Sequence, residues 1–208
     1  MITPDWIIHF VKKNSSLLYS RLSRIIEIFT ALLITIITLP ITLVTALAIK
    51  ITDGGPIFYS QNRMGLSEKT FLLFKFRSMV VDSEKNGAVW AATDDNRITK
   101  IGKIIRKLHI DEIPQMWNII KGNIGLVGPR AERPEFITTL EQDIPFYYLR
   151  HTIKPGFTGW AQIKFRYART VADSQEKFEY DLYYIKNRNI FMDLGIIIRT
   201  VQIIFTHE

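Results

Sequence analysis

Ile28-Phe29-Thr30-Ala31-Leu32-Leu33-Ile34-Thr35-Ile36-Ile37-Thr38-Leu39-Pro40-Ile41-Thr42-Leu43-Val44-Thr45-Ala46-Leu47-Ala48-Ile49 is uncharged from end to end. A helix needs roughly 20 apolar residues to span a bilayer, so this run reads as a membrane segment rather than a soluble core helix. It begins too late, and lacks the small-residue cleavage pattern after it, to be a simple signal peptide. Pro40 lies inside it, where it removes an intrahelical hydrogen bond and crowds the preceding turn. Thr30, Thr35, Thr38, Thr42 and Thr45 surround the proline, and their hydroxyls can satisfy backbone groups freed by such a break. Arg21 and Arg24 precede the run and Lys50 follows it, so the cytoplasmic preference of basic residues gives no orientation. A helix that bends near Pro40 and leaves by the face it entered satisfies both ends. A straight or kinked span is the other solution, and the residues alone leave the two open. Glu27 follows Arg24 at ion-pair spacing, which lowers the cost of a carboxylate near lipid. Upstream, Trp6 to Lys13 is short, aromatic and basic, suited either to an interfacial position or to a loose tail.

The rest of the chain bounds the function. At 208 residues there is room for one ordinary domain. Lys and Arg number 27 against 20 Asp and Glu, a formal charge of +7, which attracts anionic partners such as nucleotides, phospholipid or phosphorylated substrates. With no cysteine, disulfides, zinc–thiolate sites, iron–sulfur clusters and a cysteine nucleophile are excluded. The 4 histidines, His9, His109, His151 and His207, are too far apart for a local metal motif. That argues against a transition-metal enzyme and leaves carboxylate-bound Mg²⁺ open.

Beyond the turn Asp53-Gly54-Gly55-Pro56, Ile57–Gln61 and Thr70–Met79 read as the strands of a hairpin. Lys75 and Arg77 share one side of the second strand. Ile98, Ile101, Ile105 and Leu108 recur at helical spacing. Pro114 suits the first turn of a helix burying Ile113, Met116, Trp117 and Ile120. Tyr147 to Ile163 reads as loops and short strands. Helices are expected from Asp173 to about Tyr184 and from Phe191 to Phe205. In the last, Phe191, Leu194, Ile198, Val201 and Phe205 form a stripe expected to pack on the core, with lipid headgroups as the alternative.

The chemistry concentrates at Arg106-Lys107-Leu108-His109-Ile110-Asp111-Glu112-Ile113-Pro114. Asp111 and Glu112 stand just before a proline-started helix, whose unpaired N–H groups attract anions. By itself the pair reads first as an N-cap with a first-turn carboxylate, which needs no catalysis. Its surroundings favour a site, because Arg97, Lys100, Lys103, Arg106, Lys107, Lys121, Arg130 and Arg133 flank it, opposed only by Asp111, Glu112 and Glu132. Arg130 follows Gly128-Pro129 and Arg150 precedes Lys154-Pro155-Gly156, and arginines on stiff turns suit phosphate clamping.

Several stretches together resemble the bacterial sugar transferase family, the small monotopic polyprenyl-phosphate phosphoglycosyl transferases. They are Gly55-Pro56-Ile57-Phe58-Tyr59-Ser60-Gln61, Phe74-Lys75-Phe76-Arg77-Ser78-Met79, Asp111-Glu112-Ile113-Pro114-Gln115, Gly125-Leu126-Val127-Gly128-Pro129-Arg130, Arg150-His151-Thr152-Ile153-Lys154-Pro155-Gly156, Gly159-Trp160-Ala161-Gln162 and Tyr180-Asp181-Leu182-Tyr183-Tyr184. The likeness covers roughly Arg24 to Phe205 and is nearest to members that start exopolysaccharide units. It implies a mostly helical α+β fold with a re-entrant helix broken at Pro40, a small β-hairpin and interfacial amphipathic helices. Residues 1–20 would be a cytoplasmic or interfacial arm, 21–50 the membrane helix and 51–208 the catalytic domain.

The resemblance also implies a ping-pong reaction at the cytoplasmic face of the bacterial inner membrane. Asp111 is similar to the family's nucleophile, taking a hexose-1-phosphate from a UDP-sugar with loss of UMP and passing it to undecaprenyl phosphate. Glu112 looks like the carboxylate that, with Asp111, holds Mg²⁺. Lys75, Arg106, Arg130 and Arg150 match positions expected to contact phosphate, and Asp181 matches a polar site position. The partners implied are the UDP-sugar, the polyprenyl phosphate and the phospholipid bilayer, without nucleic acid; oligomeric state is open, a homodimer among the options. The chain departs from the family at Ser23, Glu27, Leu39 and His109-Ile110, none of them a proposed chemical group. A nucleotide-sugar phosphodiesterase and a non-enzymatic basic module are the competing readings.

Overall fold

The computed structural model describes residues 17–83, 95–165 and 171–206. The reading placed on Trp6–Lys13 lies outside these. The elements are α1 (Leu17–Asp53), β1 (Phe58–Met64), β2 (Thr70–Phe76), α2 (Lys100–Lys107), α3 (Gln115–Lys121), β3 (Gly125–Val127), α4 (Pro134–Asp143), β4 (Gly156–Thr158), α5 (Trp160–Lys164), α6 (Val171–Asn187) and α7 (Ile190–Thr206). Short 3₁₀ turns fall at Leu66–Glu68, Ile110–Glu112 and Tyr147–Thr152. Among the described residues the fold is mostly helical α+β, with two small sheets and one long apolar helix.

That helix, α1, runs 37 residues and stays helical through Pro40, so the break expected there is not seen, and it extends past 21–50 at both ends. Pro40 cannot donate to the preceding turn. Just ahead of it, the Thr35 and Thr38 hydroxyls donate to Ala31 O and Ile34 O, each at 2.7 Å, the back-bonding pattern that bends helices. Leu32, Leu33, Ile36, Ile37, Leu39, Ile41, Leu43 and Val44 are all exposed. One face of the helix is turned to the body, with Ala31, Thr45 and Ile49 buried along it. Ala31 packs with Leu73, Met116, Ile119, Ile124 and Leu126; beyond the exposed stretch, Ile49 packs with Phe76 and Ile105.

Polar contacts fix the same two ends. Arg24 donates to Ile119 O and Ile120 O, both at 2.7 Å, and pairs with Glu27 at 3.2 Å. The carbonyls at the end of α3 thereby gain a cation where the helix dipole favours one. Tyr19 donates to Asp193 of α7 at 2.6 Å, and Asp53 faces Arg77 at 3.8 Å.

β1 and β2 form the expected antiparallel hairpin, with Tyr59 opposite Lys75. Asn118, fully buried in α3, accepts from Phe74 N at 3.0 Å and donates to Leu72 O at 2.7 Å. It pairs two edge groups of β2 that would otherwise be orphaned at about 1–3 kcal/mol each, and so ties the strand bearing Lys75 to the helix after Asp111. β3 and β4 pair in parallel, Gly125 opposite Gly156. A Cβ on Gly156 would lie 2.0 Å from Gly128 N, so the close approach requires glycine there.

Two burial expectations are corrected. Trp117 is 53% exposed, with Lys121 over its ring, while its neighbour Asn118 turns inward. In α7, Phe191, Leu194, Ile198 and Val201 are exposed, Phe191 at 83%, so this stripe does not pack on the core. The inward face is Ile196, fully buried, with Thr200 hydrogen-bonded to Thr158 at 2.7 Å. A helix apolar on most sides offers periodicity two answers, and the Thr158–Thr200 pair marks which face went in.

Candidate active site

Asp111 and Glu112 end the turn Ile110–Glu112, which His109 enters in the left-handed region with φ 55°. That turn presents both carboxylates to the hairpin rather than along α3. Lys75 Nζ lies 2.6 Å from Glu112 Oε1 and 3.9 Å from Asp111 Oδ2, and Arg130 is 3.7 Å from Glu112 Oε1. One ammonium thus answers two adjacent acids.

The two carboxyls titrate apart. Burial pushes Glu112 up, but Lys75 and Arg130 outweigh it and hold the group at about 2. Asp111, only 7% exposed, moves the other way: burial raises it, Lys75 pulls it partly back, and the Glu112 charge adds to the rise. A permanently ionised acid therefore stands beside a more basic one, a division that suits different roles. Both offer the oxygen-only donors that Mg²⁺ takes, with room in its preferences for substrate phosphate oxygens.

Lys75, Arg106, Asp111, Glu112, Arg130, Arg150 and Asp181 all line one cavity of about 1750 Å³. They do not play equivalent parts. Arg106 donates to Ser78 Oγ at 2.9 Å, a contact made by the close seating of α2, where Gly102 admits Ser78 O. Arg130 is the more accessible guanidinium, with 37% of its side chain exposed. Arg150 is 3% exposed and already committed, donating to Tyr147 Oη, to Asp181 Oδ2 at 2.8 Å and to Arg130 O at 3.0 Å. Asp181 is 2% exposed, so this is a buried ion pair.

That pair supports the loop bearing Arg130. Arg150 holds Arg130 O, Arg63 donates to Ala131 O at 3.0 Å, and Met64 N donates to Glu132 O at 2.9 Å. Lys177 and Arg150 answer the Glu132 carboxylate at 3.2 and 3.9 Å; burial raises that group, but these cations leave it at about 2. Sequence reasoning missed the supports Asn118, Arg63, Glu132 and Lys177. A polar residue among the apolar positions of α3 was the signal for Asn118.

This is a membrane-associated body with a desolvated acidic pair set in a basic cavity, an arrangement suited to a phosphorylated ligand. The chain belongs to the bacterial sugar transferase family, whose model matches residues 18–207. It is 41% identical over 189 residues to a UDP-N-acetylgalactosamine-undecaprenyl-phosphate N-acetylgalactosaminephosphotransferase of Aeromonas hydrophila, covering 91% of this chain and 45% of that protein. It is 40% identical over 180 residues to a UDP-glucose:undecaprenyl-phosphate glucose-1-phosphate transferase of Klebsiella pneumoniae, covering 86% and 39%. It is also 36% identical to the exopolysaccharide production protein PSS of Rhizobium leguminosarum bv. phaseoli, covering 86% and 93%. The chain therefore spans less than half the length of the first two relatives and nearly all of the third.

Because Lys75 holds Asp111 down, Lys75→Met is expected to move the acid limb of the pH–rate profile to higher pH. An ionised Asp111 is then lost earlier as pH falls, and the plateau rate drops roughly 100-fold. An acid limb unmoved in kcat/KM, measured over roughly pH 4 to 9, from the ordinary carboxyl range upward, contradicts this assignment.

Proposed function

We propose that the protein transfers a hexose-1-phosphate from a UDP-sugar to undecaprenyl phosphate, with Asp111 as nucleophile in a two-step reaction. The observation that carries this reading is the buried, basic Asp111 carboxyl on the wall of a cationic cavity, beside an acid held ionised. An Asp111 oxygen attacks the phosphorus next to the sugar. The bond from that phosphorus to the bridging oxygen breaks, and UMP leaves with the electron pair. An oxygen of undecaprenyl phosphate then attacks the same phosphorus, and the aspartate carboxylate is the second leaving group. Splitting one phosphoryl transfer this way lets a water-soluble donor and a lipid acceptor use the same atom in turn. Arg130 and Arg106 face the phosphates, Lys75 keeps the acidic pair oriented, and the Arg150–Asp181 pair positions Arg130. Mg²⁺, held by Glu112 and Asp111, would neutralise diphosphate charge.

The donor class is supported by relatives named for UDP-N-acetylgalactosamine and UDP-glucose, and the pathway by one named for exopolysaccharide production. We place the reaction at the cytoplasmic face of the bacterial inner membrane, with 1–20 as arm, 21–50 as re-entrant membrane helix and 51–208 as catalytic domain. The re-entrant reading is supported by α1 itself, which docks on one body at both Ala31 and Ile49 while Leu33, Ile36, Ile37 and Val44 stay exposed. The outward stripe of α7 suits an interfacial position beside it.

Without lipid acceptor, wild-type protein is expected to release one UMP per chain from UDP-sugar, and Asp111→Asn none. UMP release by Asp111→Asn at the wild-type level would remove the nucleophile from this account. For topology, Ser15→Cys and Ser83→Cys are each expected to react with a membrane-impermeant maleimide only from the cytoplasmic side. Labelling of Ser15→Cys from the periplasm alone would mean a full span.

A further inference from the structure

Three residues outside the cavity meet where no sequence spacing would join them. Glu68 comes from the turn between β1 and β2, Glu141 from the last turns of α4, and His151 from the 3₁₀ turn Tyr147–Thr152. One donor atom from each lies within 4.8 Å of the other two. The carboxylates face solvent and the imidazole does not.

His151 is the second, independent observation. It is 6% exposed, and its Nδ1 is buried without a hydrogen-bond partner. The nearest acid, Glu68 Oε1, stands 3.8 Å away, beyond hydrogen-bond reach. The Tyr147 ring packs edge-on against the imidazole at 6.5 Å, limiting its rotation. Burial, and then the Arg150 charge, push His151 down to about 4. It is therefore neutral at physiological pH, with one ring nitrogen bare, and cannot answer the Glu68 charge as a cation. Glu141 is raised by burial and then by facing Glu68. An unpaired buried nitrogen and two facing acids are each unfavourable, and one divalent cation relieves both.

We propose that Glu68, Glu141 and His151 form a structural binding site for a divalent transition-metal ion of the zinc class, separate from the active site. Mixed imidazole and carboxylate donors select such an ion over Mg²⁺ or Ca²⁺, which prefer oxygen alone. Tetrahedral zinc ligands sit about 3.3 Å apart, so small rotations of the two exposed glutamate side chains close the set, with water at the fourth position. The ion would staple the hairpin tip to α4 and to the turn that holds Arg150. It would thereby stiffen the wall that supports Arg130, whichever reaction the cavity performs.

The test uses the full chain in detergent, stripped with chelator, dialysed against dilute Zn²⁺ and analysed for bound metal by mass spectrometry. Wild-type protein is compared with Glu68→Gln/Glu141→Gln, whose substituted side chains are exposed; circular dichroism checks that the variant is folded. Zinc at the acidic pair is common to both proteins and cancels. The variant is expected to hold one zinc ion per chain fewer, and to lose a zinc-dependent rise in unfolding temperature present in the wild type. Equal zinc content in the two proteins would overturn the proposal.

Discussion

Two adjacent carboxylates cannot share a water-poor wall unless cations answer them, and the arrangement of those cations organises this molecule. Lys75 reaches both acids from β2, and Arg130 reaches Glu112 from the loop after β3. The attraction is stronger there than in water because the site is largely desolvated. It is also more demanding, since a misplaced ammonium would leave buried charge uncompensated. Much of the surrounding structure holds these two side chains in place. Asn118 fixes the strand of Lys75; Arg150, Arg63 and Met64 N hold successive carbonyls of the loop of Arg130.

The long apolar helix enters the same scheme through its two ends. Arg24 seals the carbonyl end of α3, whose other end follows the acidic pair. Ile49 packs with Phe76, one residue beyond Lys75 in the strand. The apolar segment is thus more than a tether, because its flanks form part of the frame on which the site is built. On the proposed re-entrant topology, this frame also fixes the height of the cavity above the lipid headgroups.

What the sequence made legible follows from which forces leave a period in it. The hairpin and the helices at 100–107 and 115–121 could be read because alternating or three-to-four spacing of apolar residues reports burial directly. Asp111, Glu112 and their basic neighbours could be singled out by charge and by the proline that follows them. Distant partners left no such trace. Lys75 on Glu112 and Asp181 on Arg150 depend on the tertiary fold, and a buried ion pair looks in sequence like two surface charges. The outward stripe of α7 and exposed Trp117 mislead for the opposite reason: apolar residues facing outward read as core.

The central claim is that Asp111 bonds transiently to phosphorus, and direct observation of that bond tests it best. Protein mixed with UDP-sugar alone, quenched and digested, should yield an Asp111-containing peptide heavier by one sugar phosphate. The adduct should disappear when polyprenyl phosphate is added before the quench. A peptide of unmodified mass, from protein that nonetheless makes lipid-linked sugar at full rate, would mean that donor and acceptor react directly and that Asp111 serves another purpose.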